Sequence, residues 1–315
     1  MKPLLSHILN YIKEKNPAHG AKLNGWILQM DENYFSAAEG FFSRYKTFIE
    51  STGKNIDYGI DCYLKLCAQM IYERLEFVRS GKYANTSFEE VEKSIYLNPE
   101  MFEYHMHGLV FAQFLWREQY TRFEFFSSHI RDFLSAKPQS PQTTDGRDSA
   151  GTYLEIGGGH ALYILEAIKK SNEKINFQLV DISPSSMELA KGIAKNLPIN
   201  FLLKNIFDFS PEEKFDFITM GEVIEHVEDP LSLLIKVREL LSENGAAFIS
   251  TPANSPTIDH IYLFNNADEI RSMLNEAGLE IIHEKTQYAE EMKEERAQKL
   301  KIALMFAAFV KAKTN

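Results

Sequence analysis

Apolar and aromatic residues recur three and four positions apart along the first part of the chain. This spacing places them on one face of a helix. The longest such runs are Tyr34–Ile49, Ile56–Val78 and Phe102–Phe133. Asp57 and Pro99 stand near the starts of two of these runs, where acidic residues and proline favour helix initiation. Residues 1–134 are therefore predicted to form an all-α domain.

After residue 150, short apolar runs alternate with helical stretches. The predicted strands are Tyr153–Ile156, Asn176–Asp181, Asn200–Leu203, Phe215–Met220 and Ala246–Thr251. The helical stretches between them include Ala161–Lys170, Ser185–Asn196 and Leu231–Leu241. Because strands alternate with helices, we expect right-handed crossovers and a parallel sheet. Residues 135–150 have no periodicity and are rich in Pro, Ser, Thr and Gln, so they are predicted to be a linker.

Two further apolar runs, Leu279–Lys285 and Ile302–Val310, follow a predicted helix at Asp268–Ala277. The second run is too short to cross a bilayer and is predicted to be a strand. The predicted fold class is thus α/β, with a doubly wound sheet in residues 151–315 and an all-α domain before it.

Composition and charge narrow the classes of partner. The 315 residues are 44% hydrophobic and 25% charged, which is typical of a folded globular protein. A formal net charge of −10 argues against nucleic-acid binding by phosphate neutralisation and against an anionic membrane surface. No signal segment or membrane-spanning run is apparent, and the cysteines, Cys62 and Cys67, are predicted to be reduced. We therefore expect a cytoplasmic protein with neither nucleic acid nor membrane as its partner.

A glycine-rich segment, Tyr153-Leu-Glu-Ile-Gly-Gly-Gly-His-Ala161, carries the first chemical signal. An apolar run contains Glu155 near its end, and Gly157 and Gly159 follow before a helical pattern begins. Asp181 ends the next strand, roughly twenty residues past the glycines. Glycines allow a ligand to approach the backbone, and such an acid accepts hydrogen bonds from a ribose diol. The pattern predicts a nucleoside-binding loop, and the alternative is a strand–turn–helix with a structural role only.

The dinucleotide fingerprint fails in this segment, because Leu162 stands where that motif requires its last glycine. The spacing acid-x-Gly-x-Gly instead resembles the first motif of the class I S-adenosylmethionine-dependent methyltransferases, with Ala161 in place of that family's third glycine. The resemblance covers roughly residues 150–315. It implies S-adenosylmethionine as the cofactor and a seven-stranded sheet whose last strand is inserted antiparallel. An acid beside the loop suits the ammonium and sulfonium groups of this cofactor and would repel a pyrophosphate.

The same resemblance implies which residues bind the cofactor. They are Glu155, Gly157, Gly159, Asp181, Ile182, Asn205, Ile206 and Gly221. The glycines let the cofactor approach. Glu155 lies towards the amino-acid end of the cofactor, and Asp181 holds the ribose. Asn205 with its neighbour is expected to meet the adenine, with Asp208 as the alternative, although Asp208 could equally be a helix N-cap.

The fourth predicted strand ends in Gly221-Glu-Val-Ile-Glu-His-Val, which places Glu222, Glu225 and His226 on one face of a helical turn. This Glu-x-x-Glu-His motif resembles the metal triad of the ubiquinone-pathway O-methyltransferases and of enzymes that methylate the terminal 2′-hydroxyl of small RNAs. In the latter a histidine follows the fifth strand, and His260 occupies a similar position. Three interpretations stay open. The four residues bind a divalent ion, His226 with Glu225 acts as a metal-free base, or the pair is structural.

Other candidate residues lie in the helical domain and beside the glycine loop. His105, His107 and Trp116 could reach a substrate pocket, as could Arg117 and Tyr120. The alternative is that this aromatic stripe is core packing. His160 adjoins the glycine loop, but a histidine at a helix start is commonly exposed to solvent.

These observations together predict an S-adenosylmethionine-dependent methyltransferase that O-methylates a small molecule of secondary metabolism. The helical domain is expected to close over the substrate or to form a homodimer. The alternatives are a methyltransferase acting on RNA or protein, a cofactor-binding protein without catalysis, and a nicotinamide oxidoreductase.

Overall fold

A computed structural model describes residues 2–135, 151–171 and 174–313. The first part is helical, as predicted. Its helices are α1 (Pro3–Lys15), α2 (Pro17–Ile27), α3 (Glu32–Ser51), α4 (Ile56–Ser80), α5 (Phe88–Val91, continued by a π-helical turn at Glu92–Tyr96), α6 (Pro99–Leu115) and α7 (Arg117–Ser135). We call α1 to α6 the cap.

Strands and helices then alternate. The strands are β1 (Gly151–Ile156), β2 (Ile175–Asp181), β3 (Ile199–Leu203), β4 (Phe215–Gly221), β5 (Leu241–Ala253), β6 (Leu279–Tyr288) and β7 (Leu304–Ala312). The helices among them are α8 (Leu162–Lys170), α9 (Pro184–Ile193), α10 (Pro230–Leu240), α11 (Ala267–Glu276) and α12 (Glu294–Lys299). Short 3₁₀ turns follow β3 and β4, at Ile206–Asp208 and Ile224–His226.

The strands form one seven-stranded sheet in the order β3-β2-β1-β4-β5-β7-β6. All neighbouring pairs from β3 to β5 are parallel, and β7 runs antiparallel to both β5 and β6. This confirms the predicted fold class and the antiparallel last strand. Because β1 connects through β2 to one side and β4 lies on the other, the chain changes direction between β1 and β4. Ligands of open parallel sheets bind outside the strand ends at such a point.

Local sequence explains where the main helices begin. Several start with proline at the first helical position, preceded by a polar side chain that accepts a hydrogen bond from the first turn. Asn98 accepts from the backbone of α6, Ser183 from that of α9, and Asp229 from that of α10. These caps fix the ends of the segments that face the cavity described below.

The structure differs from the predicted helix Phe102–Phe133 at Trp116. This residue adopts an extended conformation and divides the run into α6 and α7. Its indole donates a hydrogen bond to the Tyr63 hydroxyl (3.1 Å). The apolar spacing continues across the break, which is why the periodicity alone did not reveal it.

The helix α7 packs on the sheet. Its Phe126 is buried against Tyr163, Phe248 and Phe309, so that one aromatic cluster joins the helix to α8, β5 and β7. The predicted division at residue 134, which places α7 in the helical domain, stays a prediction, and this packing favours a boundary near Trp116. The predicted linker, residues 135–150, lies outside the described residues except for Ser135, the last residue of α7.

The cap packs on the face of the sheet domain formed by α8 and α9. Leu162, Leu189 and Ile193 join the apolar core of the cap. The Phe48 ring lies against Gly192, where any side chain would collide with it. Within the described ranges, no helix combines the length and the apolar character that crossing a bilayer requires.

The packing of α7 yields a stability prediction. Phe126→Ala removes a fully buried ring and should lower the free energy of unfolding by about 3–5 kcal/mol. Glu124→Ala, on the exposed side of the same helix, should change it by less than about 0.5 kcal/mol. Urea unfolding followed by far-ultraviolet circular dichroism measures both values. Equal effects of the two substitutions would contradict the packing of α7 on the sheet.

Candidate active site

A cavity of about 260 Å³ lies at the carboxyl ends of β1, β2 and β4, beneath the cap. The sheet domain contributes the glycine loop, the end of β4 and the loop after β5. The cap contributes one face of α6, whose cavity-lining residues are His105, Met106, Leu109, Gln113 and Trp116. His105, Leu109, Gln113 and Trp116 follow one another at spacings of four, four and three residues, which places them on one face of a helix. The cavity is therefore bounded by both parts of the chain.

The glycine loop requires glycine at defined positions. Gly157 has φ +68°, and a Cβ there would lie 2.6 Å from Val223 Cγ2. A Cβ on Gly159 would lie 2.8 Å from Met106 Cε of α6. Ala161, which stands where the resembled motif has its third glycine, also adopts a left-handed conformation, with φ +53°. The loop thus keeps the glycine-like backbone although one glycine is absent.

Glu155 is buried below this loop. Its Oε2 accepts a hydrogen bond from the Ile164 amide (2.7 Å), which anchors the first turn of α8. Burial raises the pKa of the Glu155 carboxyl to about 8, because no basic side chain compensates the charge. The side chain lines the cavity, and its predicted position near the amino-acid end of the cofactor stays a prediction.

Asp181 ends β2 at the opposite side of the loop. Its Oδ1 accepts a hydrogen bond from the Ser183 amide (2.8 Å), and burial raises the pKa of its carboxyl to about 6. Ile182 lines the same part of the cavity and is 47% exposed. Both residues are therefore available to a ligand in the position that the sequence predicts.

Asn205 and Ile206 do not line the cavity. The Asn205 Oδ1 accepts a hydrogen bond from the Phe207 amide (3.0 Å) and so caps the 3₁₀ turn after β3. Asp208 is exposed within the same turn. The predicted adenine contact of Asn205 and Ile206 stays a prediction.

The end of β4 carries a buried ion pair that the sequence did not indicate. Glu222 has φ +57°, and its Oε1 lies 2.6 Å from Nη1 of Arg122, a residue of α7 that is 1% exposed. Ser250 donates a hydrogen bond to the same oxygen (3.1 Å). Gly221 lies just before, where a Cβ would meet the Tyr163 ring at 2.8 Å. Arg122 lies outside every motif of the sequence, and its contact arises from the packing of α7.

Three of the four predicted metal ligands converge. Ligand atoms of Glu225, His226 and His260 lie within 4.8 Å of one another, and in the described part of the chain this is the one such group. The Nε2 atoms of His226 and His260 lie 3.9 Å and 3.8 Å from the Glu225 Oε1. Glu222 does not join them, because Arg122 and Ser250 hold its carboxylate. The structure thus brings three of the four predicted ligands together, and the metal site itself stays a prediction.

Backbone and side-chain partners orient each member of this group. The Nδ1 of His226 bonds with the Asp259 carbonyl (2.9 Å), and the Nδ1 of His260 bonds with the Ser255 carbonyl (2.6 Å). Thr251 donates to the Glu225 Oε2 (2.9 Å), and the Oε1 has no hydrogen-bond partner among the described residues. Two imidazole nitrogens and one carboxylate oxygen are therefore left facing one another.

Burial and charge set the protonation of this cluster. Burial, with the nearby Glu222, raises the pKa of Glu225. Burial lowers the pKa of His226, but Asp259 and Glu225 outweigh it and leave the value raised. Burial and the neighbouring His226 lower the pKa of His260 to about 3, so this ring is neutral at physiological pH.

Asp259 is a further functional candidate that the sequence analysis missed. It is 5% exposed, and its Oδ2 lies 3.1 Å from the Nε2 of His105 in α6. Thr257 donates to its Oδ1 (2.6 Å). Burial raises the pKa of the Asp259 carboxyl, but His105 and His226 more than offset this and hold it well below its usual range. Its position directly before His260 was a signal that could have been used.

Of the remaining candidate residues, some line the cavity and others do not. His105 and Trp116 line the cavity, and so does His160, whose Nε2 lies 3.3 Å from the Met106 carbonyl. His107 instead bonds with the Tyr45 hydroxyl (2.9 Å) inside the cap. Tyr120 is buried in the cap core, while Arg117 is half exposed and pairs with Glu291.

Comparison with known proteins agrees with this geometry. The family model described as "Methyltransferase domain" matches residues 117–284, more than half of the chain. The malonyl-[acyl-carrier protein] O-methyltransferase 1 of Ilyobacter polytropus is 31% identical over 103 residues, which are 32% of this chain and 38% of that protein. The ubiquinone biosynthesis O-methyltransferase of Histophilus somni is 34% identical over 106 residues, which are 31% and 43%. The chain thus spans less than half the length of these curated relatives.

Among solved structures, the mitomycin 7-O-methyltransferase is similar with a TM-score of 0.48 at 13% identity, over 78% of this chain and 68% of that chain. The plantazolicin methyltransferase, in complex with S-adenosylhomocysteine, also has a TM-score of 0.48, at 15% identity over 72% and 98%. The family match, together with the sheet order and the glycine loop, decides the assignment. The chain belongs to the methyltransferase domain family.

Proposed function

We propose that this methyltransferase transfers a methyl group to a hydroxyl of a small molecule held between the glycine loop and the cap. The observation that carries the proposal is the cavity itself. The glycine loop lines one part of it, and His226, Asp259 and His260 line another, with Glu225 beside the two histidines. A molecule in between would contact groups that hold a cofactor and groups that accept a proton.

The cavity suits the charge of the cofactor. S-adenosylmethionine supplies a methyl group on a cationic sulfonium and also carries an ammonium group. The cavity-lining carboxylates are Glu155, Asp181, Glu222 and Asp259, and the one arginine among the lining residues is paired with Glu222. The glycine loop leaves room where any Cβ would intrude. We infer that Asp181 accepts hydrogen bonds from the ribose hydroxyls and that the loop lies against the cofactor.

The polar cluster supports oxygen as the methyl acceptor. A hydroxyl must lose its proton to become a good nucleophile, and a positioned imidazole is the usual acceptor of that proton. His226, the predicted base, presents its Nε2 beside Glu225, while its Nδ1 is bound by the Asp259 carbonyl. Relatives named as ubiquinone and malonyl-acyl-carrier-protein O-methyltransferases also support oxygen as the acceptor.

The cap covers the cavity, and this enclosure supports a small molecule as the substrate. Four residues of α6, with Trp116 at its end, lie across it, and Phe88 and Tyr96 from the neighbouring cap segment close another side. A net charge of −10 disfavours RNA as the substrate. Dimerisation through the cap stays a prediction. Its support is an outward apolar face of α4, where Ile71, Leu75 and Val78 are about two-thirds exposed.

We further propose that Glu225, His226 and His260 can hold a divalent ion. Histidine ligands of metals usually bind a carbonyl or a carboxylate through their second nitrogen, and both histidines here do so. The unpartnered Glu225 Oε1 supplies the third donor. Two imidazoles and one carboxylate suit Zn²⁺, Mn²⁺ or Fe²⁺. Such an ion would lower the pKa of a hydroxyl bound to it.

The proposed function is tested with S-adenosylmethionine that carries an isotopically labelled methyl group. Incubation with a metabolite extract of the source organism should place the label on a small molecule, as a methoxy carbon identified by mass spectrometry and ¹³C NMR. Asp181→Ala should abolish this incorporation, since it removes the ribose contact. Label found in RNA or protein, and not in small molecules, would favour the macromolecular alternative.

The ion proposal predicts a graded response of metal affinity. His260→Ala should weaken Mn²⁺ or Zn²⁺ binding by more than the roughly 10- to 100-fold that loss of an outer partner costs. Glu222→Gln, whose amide oxygen can still accept the hydrogen bond from Ser250, should leave the affinity within about threefold. Calorimetry on the folded variants measures both. If Glu222→Gln weakens metal binding as much as His260→Ala does, Glu222 is a fourth ligand.

The raised pKa of Asp181 predicts pH-dependent cofactor binding. Its carboxylate ionises as the pH rises through about 6, and the ionised form accepts hydrogen bonds from hydroxyls more strongly. Affinity for S-adenosylhomocysteine should therefore increase across this range, by at most about tenfold per pH unit. Asp181→Asn should flatten the calorimetric profile, whereas Glu188→Gln, on the exposed side of α9, should not.

The same carboxyl affects the ligand-free fold with the opposite sign. Its folded pKa is above the ordinary value of 3.8, so it contributes stability that is lost as the pH rises towards and through 6. Asp181→Asn should remove that part of the loss in a thermal unfolding series. An unchanged series, together with unchanged affinity profiles, would contradict the burial of Asp181 at the cofactor site.

A further inference from the structure

We propose that His105 of the cap, held by Asp259, is the group that accepts the proton of the substrate hydroxyl. This inference rests on the proposed function and assigns its base to a different histidine from the one that the sequence predicts. It makes α6 part of the catalytic machinery rather than only a roof. The two side chains are 154 residues apart in the chain and meet only in the fold.

The geometry of the pair is that of an oriented imidazole. The His105 Nε2 lies 3.1 Å from the Asp259 Oδ2, and both side chains are more than nine-tenths buried. A carboxylate can only accept at this distance, so Nε2 carries the hydrogen. In the neutral imidazole, the Nδ1 is then the nitrogen without hydrogen and has a free lone pair. A carboxylate that fixes the tautomer in this way leaves the opposite nitrogen ready to accept a proton.

That opposite nitrogen has no partner. The Nδ1 of His105 is buried and makes no hydrogen bond within the described residues, although the ring lines the cavity. Buried polar atoms are nearly always paired, so an unpaired nitrogen beside a cavity indicates that a ligand group completes it. A hydroxyl of the substrate is the donor that fits an unprotonated imidazole nitrogen.

The other histidines that line the cavity have different hydrogen-bond partners. The free nitrogens of His226 and His260 both face the Glu225 Oε1, and their second nitrogens are bound to backbone carbonyls. His160 uses its Nε2 on the Met106 carbonyl. Among the cavity histidines, as far as the structure describes the chain, His105 alone combines a carboxylate at hydrogen-bond distance with an unpartnered nitrogen.

The step balances without any further reactant. The O–H bond of the substrate breaks and its proton goes to the His105 Nδ1, which makes an imidazolium paired with the Asp259 carboxylate. The oxygen lone pair forms the new O–C bond to the methyl carbon. The electrons of the breaking C–S bond stay on sulfur, which becomes a neutral thioether.

The kinetic test compares His105→Ala with a matched control on the same helix. Initial rates of label transfer to small molecules of the source-organism extract should fall by about 10²- to 10⁴-fold in His105→Ala. Added imidazole should restore part of the rate. His107→Gln, which lies two residues on but faces the cap core, should stay within about threefold when assayed below its melting temperature.

A second variant separates orientation from general damage to the fold. Asp259→Asn should lower the rate, and the double variant His105→Ala/Asp259→Asn should be no slower than His105→Ala alone. Residues that act as one unit show this strong non-additivity. Additive losses, or a rate of His105→Ala equal to that of the wild type, would overturn the inference.

An NMR measurement tests the geometry without any acceptor. In protein labelled with ¹⁵N-histidine and bound to S-adenosylhomocysteine, His105 should be the tautomer with hydrogen on Nε2 at neutral pH. A proton on Nδ1 in that state would overturn the inference, since that nitrogen could not accept another. If the wild type transfers no label to any small molecule, the proposed function itself fails. If it does, and His105→Ala matches it, only the role of His105 fails.

Discussion

The carboxylate of Asp259 joins the two parts of the molecule at the active site. The Asp259 Oδ2 lies at hydrogen-bond distance from His105 in the cap. The backbone carbonyl of the same residue bonds with the Nδ1 of His226, beside β4. Removing a carboxylate from water is expensive unless cationic or hydrogen-bonding groups surround it. Both histidines and Thr257 compensate that cost here. The cap therefore contributes, through His105, to the burial of this carboxylate in the loop after β5.

The other buried acids of the cavity have no such compensation. Glu155 and Asp181 accept backbone hydrogen bonds, but neither forms an ion pair with a basic side chain among the described residues, and burial raises both of their pKa values. Glu222 differs, because Arg122 lies against it. A cationic cofactor would offset the charge of the unpaired acids, which links the acidity of the site to the choice of ligand. The same acidity disfavours a dinucleotide, whose pyrophosphate these carboxylates would repel.

The parts of this architecture that depend on local pattern could be predicted from the sequence. Alternating strands and helices determined the order of elements, and the glycine spacing located the turn between β1 and α8, because backbone conformation and strand ends are local properties. The break at Trp116 escaped, since the apolar spacing continues across it. The contacts of Arg122 and Asp259 were not predicted for another reason. Their partners are supplied by elements far away in the chain, and nothing in a linear motif records such a contact. The Glu-x-x-Glu-His motif grouped Glu222 with Glu225 and His226 for the same reason, whereas the fold turns its carboxylate towards Arg122.

The helix α6 explains why its aromatic stripe was ambiguous in the sequence. One face, with His105 and Trp116, lines the cavity, while the other, with His107 and Phe111, forms the cap core. A helix buried on both sides shows little amphipathic pattern, so periodicity cannot separate a functional face from a packed one. This arrangement also couples structure to chemistry. Any movement of α6 that opens the cavity must separate His105 from Asp259, because that contact crosses from the cap to the loop after β5. Closing the roof over a substrate and orienting the imidazole are therefore a single event, which keeps an oriented base away from open solvent.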